Sequence, residues 1–244
     1  MKDLKAKTRE TLIAWGMVLP ALLVISIIAF LPLFQTFYNS FFDASLRPDI
    51  EKRFVGFKNY ADLFQDPRFL DALKNTIFFT IISVLFETIL GLLIAVLVNQ
   101  PFKLRGAVRA AMLIPWAIPT AISSQMWKWM FEPSTGIITK LLEALHMIKP
   151  GVPILGSPQT AMWAIIAVDV WKTTQFMALL ILAGLQLIPE ELYEAARIDG
   201  ANVWQRFSKI TIPLIQSTIG VALIFRTLDA LRVFDVVFIM TRGS

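Results

Sequence analysis

Long apolar stretches dominate the pattern of hydrophobic and polar positions along this chain. A helix needs about 20 apolar residues to cross the hydrocarbon core of a bilayer, and five stretches of this chain are at least that long. They comprise residues 11–37, 75–98, 108–130, 160–188 and 210–240. The pattern predicts an all-α fold in which residues 1–244 form a single transmembrane domain, a polytopic helix bundle with about five spans.

Basic residues in the connecting segments indicate the orientation of these spans, because cytoplasmic loops are enriched in Lys and Arg. The segments 1–11, 99–110 and 189–209 hold ten of them in 44 residues, whereas 43–74 and 132–158 hold eight in 59. We therefore expect a multi-pass protein of the inner or plasma membrane with a cytoplasmic N-terminus. The first apolar stretch is too long for a cleaved signal and is expected to remain as a span.

The loop 43–74, expected on the outer side, contains a typical helix start. Asp66 suits an N-cap, Pro67 suits the first helical position, and an amphipathic turn follows. We expect a short surface helix here that leads into the second span.

Ionisable residues lie within the second, fourth and fifth apolar stretches, and charges inside a span are usually functional. Glu87 has no partner in its own helix and is expected to face the bundle interior. Asp169 and Lys172 lie three residues apart in the fourth span and are expected to pair with each other. The fifth span carries Arg226, Asp229, Arg232 and Asp235. Their alternating charges form either a self-neutralising ladder or, for one or two of them, a set of solute-binding groups.

Proline and tryptophan in the spans provide further candidates. Pro115 and Pro119 free backbone carbonyls in the third span, and these carbonyls need an internal partner or a water-filled cavity. Trp116, between the two prolines, and Trp171, near Asp169, are candidates for a solute pathway. Four other tryptophans lie near span ends, where anchoring at the membrane interface is the better interpretation. They are Trp15, Trp127, Trp129 and Trp163.

Composition restricts the possible chemistry. The chain has no cysteine and one histidine, His146, which excludes disulfides and thiol catalysis and argues against a histidine-based metal site. A phosphate-binding loop is also absent, so we expect neither enzyme activity nor a cofactor on this chain. The net charge of +5 is not concentrated among aromatics on a polar face, which argues against a nucleic-acid partner.

The segment 189–209, expected in the cytoplasm, predicts two short helices joined at a glycine. Pro189 suits the first helical position, and Gly200 is placed as a helix stop before a second short helix over 203–209. On the first helix an apolar patch of small side chains is flanked by a Glu and an Arg. This segment is either an element that fits a partner's groove or a plain amphipathic loop, and residue chemistry alone leaves both open.

The spacing of residues in and after this segment resembles the signature E-A-A-x3-G-x9-I-x-L-P of permeases of binding-protein-dependent ABC importers. The matching positions are Glu194, Ala195, Ala196, Gly200, Ile210 and Pro213, with Ile212 where leucine is usual. The resemblance implies the type I importer permease fold and docking of 189–213 on a cytoplasmic ATPase. The residues expected to make that contact are Glu191, Leu192, Glu194, Ala195, Ala196, Arg197, Asp199, Gly200 and Ala201.

Shorter motifs resemble the branch of these permeases that carries sugars. They lie at 38–41, 54–60, 75–76, 109–119, 127–131 and 234–241. The resemblance implies a second permease subunit in a heterodimer, an ATPase dimer that binds ATP and Mg²⁺, an extracytoplasmic solute-binding protein, and a carbohydrate as cargo. It also implies a sixth span, which is missing after residue 241.

The same resemblance makes the intramembrane candidates a sugar pathway. Its expected residues are Glu87, Trp116, Asp169, Trp171, Arg226 and Asp229. Permeases of this class for glycerol-3-phosphate or a polyamine are alternatives, and an ion-coupled secondary transporter is an alternative of a different class. A secondary transporter accounts for the spans and buried charges but not for the cytoplasmic signature.

Overall fold

The computed structural model describes residues 2–43 and 52–241. Residues 44–51, within the expected outer loop, and residues 242–244 lie outside the described part of the chain. The chain divides into two compact units, Met1–Leu73 and Lys74–Ser244.

The first unit consists of helices and one small hairpin. Its elements are α1 (Lys2–Ile25), α2 (Leu31–Asn39), β1 (Phe42–Asp43), β2 (Arg53–Phe54), α3 (Lys58–Leu63) and the first turns of α4 (Pro67–Asn99). A π-helical turn, Ser26–Phe30, joins α1 to α2. The strands β1 and β2, of two residues each, form an antiparallel pair in a structure that is otherwise helical, as predicted. The Asn59 amide fixes this turn of the chain, because it donates to the carbonyls of Ser40 (2.8 Å) and Phe42 (2.9 Å).

The start of α4 confirms the predicted cap, and the helix leads into the second span as expected. The Arg68 amide donates to the Asp66 side chain at 2.9 Å, which is the capping bond expected before Pro67. The helix then continues to Asn99 without interruption. The predicted surface helix is therefore the first part of the second span itself.

The second unit is a helix bundle. Besides α4 it contains α5 (Arg105–Ala111), α6 (Ile114–Ala117), α7 (Thr120–Met130), α8 (Ile137–Ala144), α9 (Pro158–Leu185), α10 (Glu190–Ile198), α11 (Val203–Arg206), α12 (Ile212–Ala230) and α13 (Asp235–Thr241). A 3₁₀ turn lies at Ile154–Gly156. A π-helical turn, Phe207–Thr211, makes α11 and α12 continuous.

The described helices confirm the prediction of about five spans. Four stretches are long and apolar enough to cross a membrane: Glu10–Asn39, Pro67–Asn99, Pro158–Leu185 and Val203–Ala230. The pair Arg105–Ala117 and Thr120–Met130, which is bent by 86°, is apolar enough when taken together and counts as a fifth if it forms one broken span. The bend follows from Pro119, because the residue before a proline is pushed out of the helical region. Ile118 accordingly has an extended backbone, at φ −70° and ψ 130°.

The predicted fifth span, 210–240, is wrong in its second half. The helix ends at Ala230, and a new helix, α13, begins at Asp235. After the break α13 packs against α7 and α9. Val236 and Met240 are buried there. These apolar residues are therefore covered by other helices of the protein and are not part of a longer α12.

Helix α9 is the centre of the second unit. One apolar cluster surrounds its first half and includes Phe79, Ile165 and Val236. Another surrounds its second half and includes Met177, Ile181 and Ile215. Close packing at the second cluster requires glycine, because a Cβ at position 91 would lie 2.7 Å from the Met177 side chain. The clusters hold α4, α9 and α12 against one another, and this places their charged residues in one region.

Candidate functional site

Arg226 on α12 is the centre of a buried charge cluster. Its Nε donates to Glu87 Oε2 at 2.5 Å, and its Nη2 donates to Glu87 Oε1 at 2.8 Å and to Asp169 Oδ2 at 2.5 Å. Its Nη1 donates to Asp229 Oδ2 at 2.8 Å. Four of the six residues expected on the solute pathway are therefore in direct contact, although they come from α4, α9 and α12.

Burial explains why these four groups are paired. Glu87 is fully buried and Arg226 is 2% exposed, and an isolated charge in such surroundings is very costly. Thr173 completes the cluster, because its hydroxyl lies 2.8 Å from Glu87 Oε1 and 2.6 Å from the Asp169 carbonyl oxygen. The expected inward orientation of Glu87 is confirmed. The partners of Glu87 lie on other helices and could not be predicted from the sequence.

Lys172 does not pair with Asp169, which corrects the expectation drawn from their spacing. Its Nζ instead donates to the carbonyls of Ile118 (2.6 Å) and Trp116 (3.3 Å). These carbonyls lie at the proline-induced bend, where the intrahelical donors are missing. Because the Asp169 carboxylate binds Arg226, Lys172 is available to donate to the carbonyls of the broken span.

The alternating charges that begin at Arg226 form one ion pair of the expected ladder. Within the described residues, Arg226 pairs with Asp229, whereas Arg232 donates from Nε to the Leu228 carbonyl at 3.2 Å. Asp235 lies beyond the end of α12 and opens α13. The helix break therefore interrupts the spacing on which the ladder depended.

A cavity of about 440 Å³ opens next to this cluster. Asp169, Arg226 and Asp229 line it, whereas Glu87 lies behind Arg226 and is not part of its wall. Trp116 lines it as well, half-exposed and stacked on Phe176 at a centroid distance of 5.8 Å. Trp171, which was expected on the pathway, contacts Trp127 edge-to-face and does not line this cavity.

The cavity wall contains equal numbers of acidic and basic side chains. They are Asp169, Asp229 and Asp235, and Lys172, Arg226 and Arg232. Among the described residues no group of three or more His, Asp or Glu side chains could hold a metal ion. The carboxylates at the cavity are bound to a guanidinium or open to solvent, and the cavity as a whole offers hydrogen-bonding groups without a net charge.

The segment 189–209 folds as two short helices joined at Gly200. Pro189 is the residue before α10 rather than its first residue. Gly200 follows the last turn with φ +78°, a left-handed conformation that favours glycine. Asn202 and Gln205 form a reciprocal capping box at the start of α11. Local sequence therefore determines the shape of this segment.

The residues expected to dock a partner lie on the outside of this segment. Glu191, Leu192, Glu194, Ala195, Arg197, Asp199 and Gly200 are exposed, and Ala196 and Ala201 are half-buried. Three large apolar side chains that sequence reasoning did not single out extend the exposed surface: Ile198 (86% exposed), Val203 (74%) and Trp204 (71%). The sequence feature that could have indicated these side chains is their position next to Gly200 in a polar loop.

Comparison with known proteins identifies the family. A family model described as the binding-protein-dependent transport system inner membrane component matches residues 87–242. The chain belongs to this family. The match covers the charge cluster, the segment 189–209 and α12, so the permease carries its site within the part that defines the family.

Curated relatives resemble the permease along almost its whole length. It is 46% identical over 241 residues to the trehalose/maltose transport system permease protein MalF of Thermococcus litoralis, covering 98% of the permease and 80% of that protein. It is 36% identical over 240 residues to the trehalose transport system permease protein SugA of Mycobacterium tuberculosis, covering 98% and 76%.

Solved structures show the same fold. A bacterial ABC transporter involved in import of the acidic polysaccharide alginate matches with a TM-score of 0.74 and 29% identity, covering 96% of the permease and 78% of that chain. A bacterial alginate ABC transporter in complex with an alginate pentasaccharide-bound periplasmic protein matches with a TM-score of 0.74 and 26% identity, covering 97% and 82%. The permease therefore has the type I ABC importer fold and is a multi-pass membrane protein.

Proposed function

We propose that this permease is the transmembrane subunit of an ATP-driven carbohydrate importer, with its N-terminus in the cytoplasm. An extracytoplasmic binding protein delivers the sugar, and a second permease subunit completes the pathway. A cytoplasmic ATPase dimer binds ATP and Mg²⁺ and docks on the docking segment, residues 189–213.

The continuity of one helix supports this coupling. The helical chain from Val203 through the π-helical turn to Ala230 has no break, and Arg226 lies on it about 35 Å from Val203 at 1.5 Å per residue. A displacement of the docking segment therefore reaches the cavity through a stiff element. Nucleotide that binds two states of the ATPase with different affinity shifts the permease between its inward-facing and outward-facing states.

The cavity suits an uncharged polyhydroxylated solute. The Asp229 side chain is 64% exposed and accepts from Arg226, so it has acceptor capacity left for a sugar hydroxyl. Trp116 presents a half-exposed ring, which is suited to the apolar face of a pyranose. The balanced charge of the wall favours a neutral sugar over glycerol-3-phosphate, an anion, and over a polyamine, a polycation. Trehalose and maltose, which the names of two of the curated relatives give as cargo, are neutral sugars.

Gly200→Val tests the docking proposal. A β-branched residue is strained at φ +78°, by about 1–3 kcal/mol, and should misplace α10 relative to α11. The matched control is Gly151→Val, because Gly151 also has a positive φ (+77°) and open space around it but lies in the segment 132–158. The measurement is ATP-dependent uptake of a labelled neutral disaccharide by proteoliposomes that contain the complete importer.

We expect Gly200→Val to lose uptake and sugar-stimulated ATP hydrolysis while Gly151→Val retains both. Full uptake with normal ATPase stimulation in Gly200→Val would contradict docking at this segment. Uptake that persists without the ATPase, driven by an ion gradient, would favour a secondary transporter.

A further inference from the structure

A second cavity, of about 470 Å³, lies beside the docking segment, in the second unit of the fold. It is separate from the cavity at Arg226, because the two share no lining residue. Its walls come from the end of α4, the start of α5, the end of α9 and the elements α10 and α11.

Three arginines line this cavity against one carboxylate. Arg105, Arg197 and Arg206 contribute the guanidinium groups, and Glu190 contributes the carboxylate. Arg197 and Glu190 are 3.9 Å apart, and both side chains are largely exposed, so their pairing is weak. Within the described residues, neither Arg105 nor Arg206 has a carboxylate oxygen within 4.0 Å. The cavity therefore has a net positive charge that the described residues do not neutralise.

Hydrogen bonds within and next to the walls of this cavity hold them in place. Arg109 Nη2 donates to the Val98 carbonyl at 3.1 Å. With the Gln186 amide turned to present its oxygen, Arg109 also donates to Gln186 at 2.9 and 3.1 Å. On the opposite wall, the hydroxyls of Tyr193 and Thr211 are 2.9 Å apart and hydrogen-bonded. Arg105 thus projects from a helix, α5, that is tied to the ends of α4 and α9, and Arg197 projects from α10, which is tied to the π-helical turn before α12.

The location of the cavity indicates the kind of anion it takes. It lies where the apolar helices α4 and α9 end and where the helix through α12 begins. This is the level of the lipid headgroups for a helix that spans the bilayer. Guanidinium groups pair with phosphate through two parallel hydrogen bonds, and the volume is in the range of small-molecule pockets.

We propose that this cavity binds a phosphate-bearing anion, such as the phosphodiester headgroup of an anionic lipid, between Arg105 on one side and Arg197 and Arg206 on the other. An anion in this position contacts the start of α5 together with α10 and α11. It therefore holds the docking segment in one position relative to α5. The ligand stabilises whichever transport state brings these arginines together, because a ligand shifts an equilibrium toward the state it binds better.

Native mass spectrometry of the complete importer tests the proposal. The complex is released from nanodiscs of phosphatidylcholine with increasing phosphatidylglycerol, and the lipids retained on the permease are counted. We expect a phosphatidylglycerol to be retained on the wild-type permease, and retention by Arg105→Gln/Arg206→Gln to be roughly a hundredfold weaker, because each lost guanidinium removes a charge-assisted hydrogen bond to the phosphate.

The matched control is Lys103→Gln/Lys209→Gln. It removes two positive charges from the same pair of segments, 99–110 and 189–209, at positions that do not line the cavity. Retention should be unchanged in this control. Arg105→Lys/Arg206→Lys should recover only part of the retention that the glutamine variants of the arginines lose, because an ammonium cannot make the two parallel hydrogen bonds of a guanidinium. If the arginine-to-glutamine and the lysine-to-glutamine variants lose lipid retention equally, the lipid is held by general attraction to a basic surface. This result would overturn the proposal.

A second arm separates a lipid from a free anion as the source of the phosphate. Inorganic phosphate is titrated against chloride at constant ionic strength, with the thermal unfolding of the detergent-solubilised complex as the readout. Stabilisation by phosphate that depends on Arg105 and Arg206, without selective retention of phosphatidylglycerol, identifies a soluble anion. Selective retention of the lipid identifies the headgroup. If neither phosphatidylglycerol nor phosphate binds in an arginine-dependent way, the proposal fails.

Discussion

Arg226 joins three helices through one side chain. Its donors reach Glu87 on α4, Asp169 on α9 and Asp229 on its own helix. A guanidinium is suited to this role, because its donors point in fixed directions within one plane and it remains charged at any physiological pH. Replacing a buried ionic cluster by apolar residues is often neutral, whereas removing a single partner is not. The main role of the cluster is therefore to determine how the three helices pack against one another.

Arg226→Met should be strongly destabilising. The substitution leaves Glu87 and Asp169 without their counter-charge in a buried site, at a cost of about 3–5 kcal/mol. Arg232→Met is the control, since Arg232 lies on the same part of the chain but is exposed, and its loss should cost about 0.5 kcal/mol or less. The measurement is denaturant unfolding of the permease in detergent. Equal stability of the two methionine variants would show that the cluster does not hold the helices together.

Glu143 provides a prediction about pH, away from the spans. A hydrogen bond from Lys140 (2.8 Å) and one from the Gly151 amide (2.9 Å) hold the pKa of the Glu143 carboxyl below its ordinary value. The bond to Gly151 should therefore be fully present above that ordinary value, near 4.5, and be lost as the pH falls through the lowered pKa.

The amide ¹⁵N shift of Gly151 in a pH titration reports this bond directly. Its midpoint should lie below the ordinary carboxyl pKa, and Glu143→Gln should abolish the titration. Glu132→Gln, in the same loop, should leave it unchanged. A midpoint at or above the ordinary value would mean that the bond does not favour the ionised carboxyl.

At the scale of an element, the broken third span shows how a backbone interruption is accommodated in a membrane. The bend at Ile118 and Pro119 leaves carbonyls without intrahelical donors. In a bilayer such groups must find another partner. Lys172 supplies the donor from α9, so the same side chain neutralises part of the cavity wall and stabilises the bend.

Lys172→Met should loosen this bend. Each carbonyl that loses its donor costs about 1–3 kcal/mol if it stays buried, so amide hydrogens in residues 112–124 should exchange faster with deuterium. Lys172→Arg retains donors on a long side chain and should restore most of the protection. Unchanged exchange in Lys172→Met would indicate that water, rather than Lys172, satisfies these carbonyls.

Periodicity and hydropathy were sufficient to predict the first, second and fourth spans, the cap at Asp66 and the turn at Gly200, because these features depend on residues close together in the sequence. The inward orientation of Glu87 was predictable for the same reason. The partner of Lys172 and the end of α12 at Ala230 were not. Both features depend on contacts with neighbouring helices. Lys172 binds carbonyls of a bent backbone, and α13 packs on a surface of α7 that covers Val236 and Met240.

At the scale of the whole molecule, the proposed topology places the segment 132–158 outside and the docking segment in the cytoplasm. The absence of cysteine makes single-cysteine labelling a direct test. Met147 and Ile198 are suitable positions because their side chains are 69% and 86% exposed, one in each segment. In intact cells a membrane-impermeant maleimide should label Met147→Cys, whereas Ile198→Cys should react only after permeabilisation. The reverse pattern would contradict a cytoplasmic N-terminus.

The same variants test docking, because a bound ATPase should cover the surface that contains Ile198. Co-expression of the ATPase should slow labelling of Ile198→Cys in permeabilised cells by about tenfold, the change that corresponds to about 1.4 kcal/mol of protection. Leu104→Cys is the matched control, since Leu104 is 77% exposed and lies in the other segment expected on the cytoplasmic side, outside the docking surface. Leu104→Cys should therefore remain reactive. Equal protection at both positions would mean that the ATPase covers this face without selecting α10, and no protection at Ile198 would place the coupling contact elsewhere.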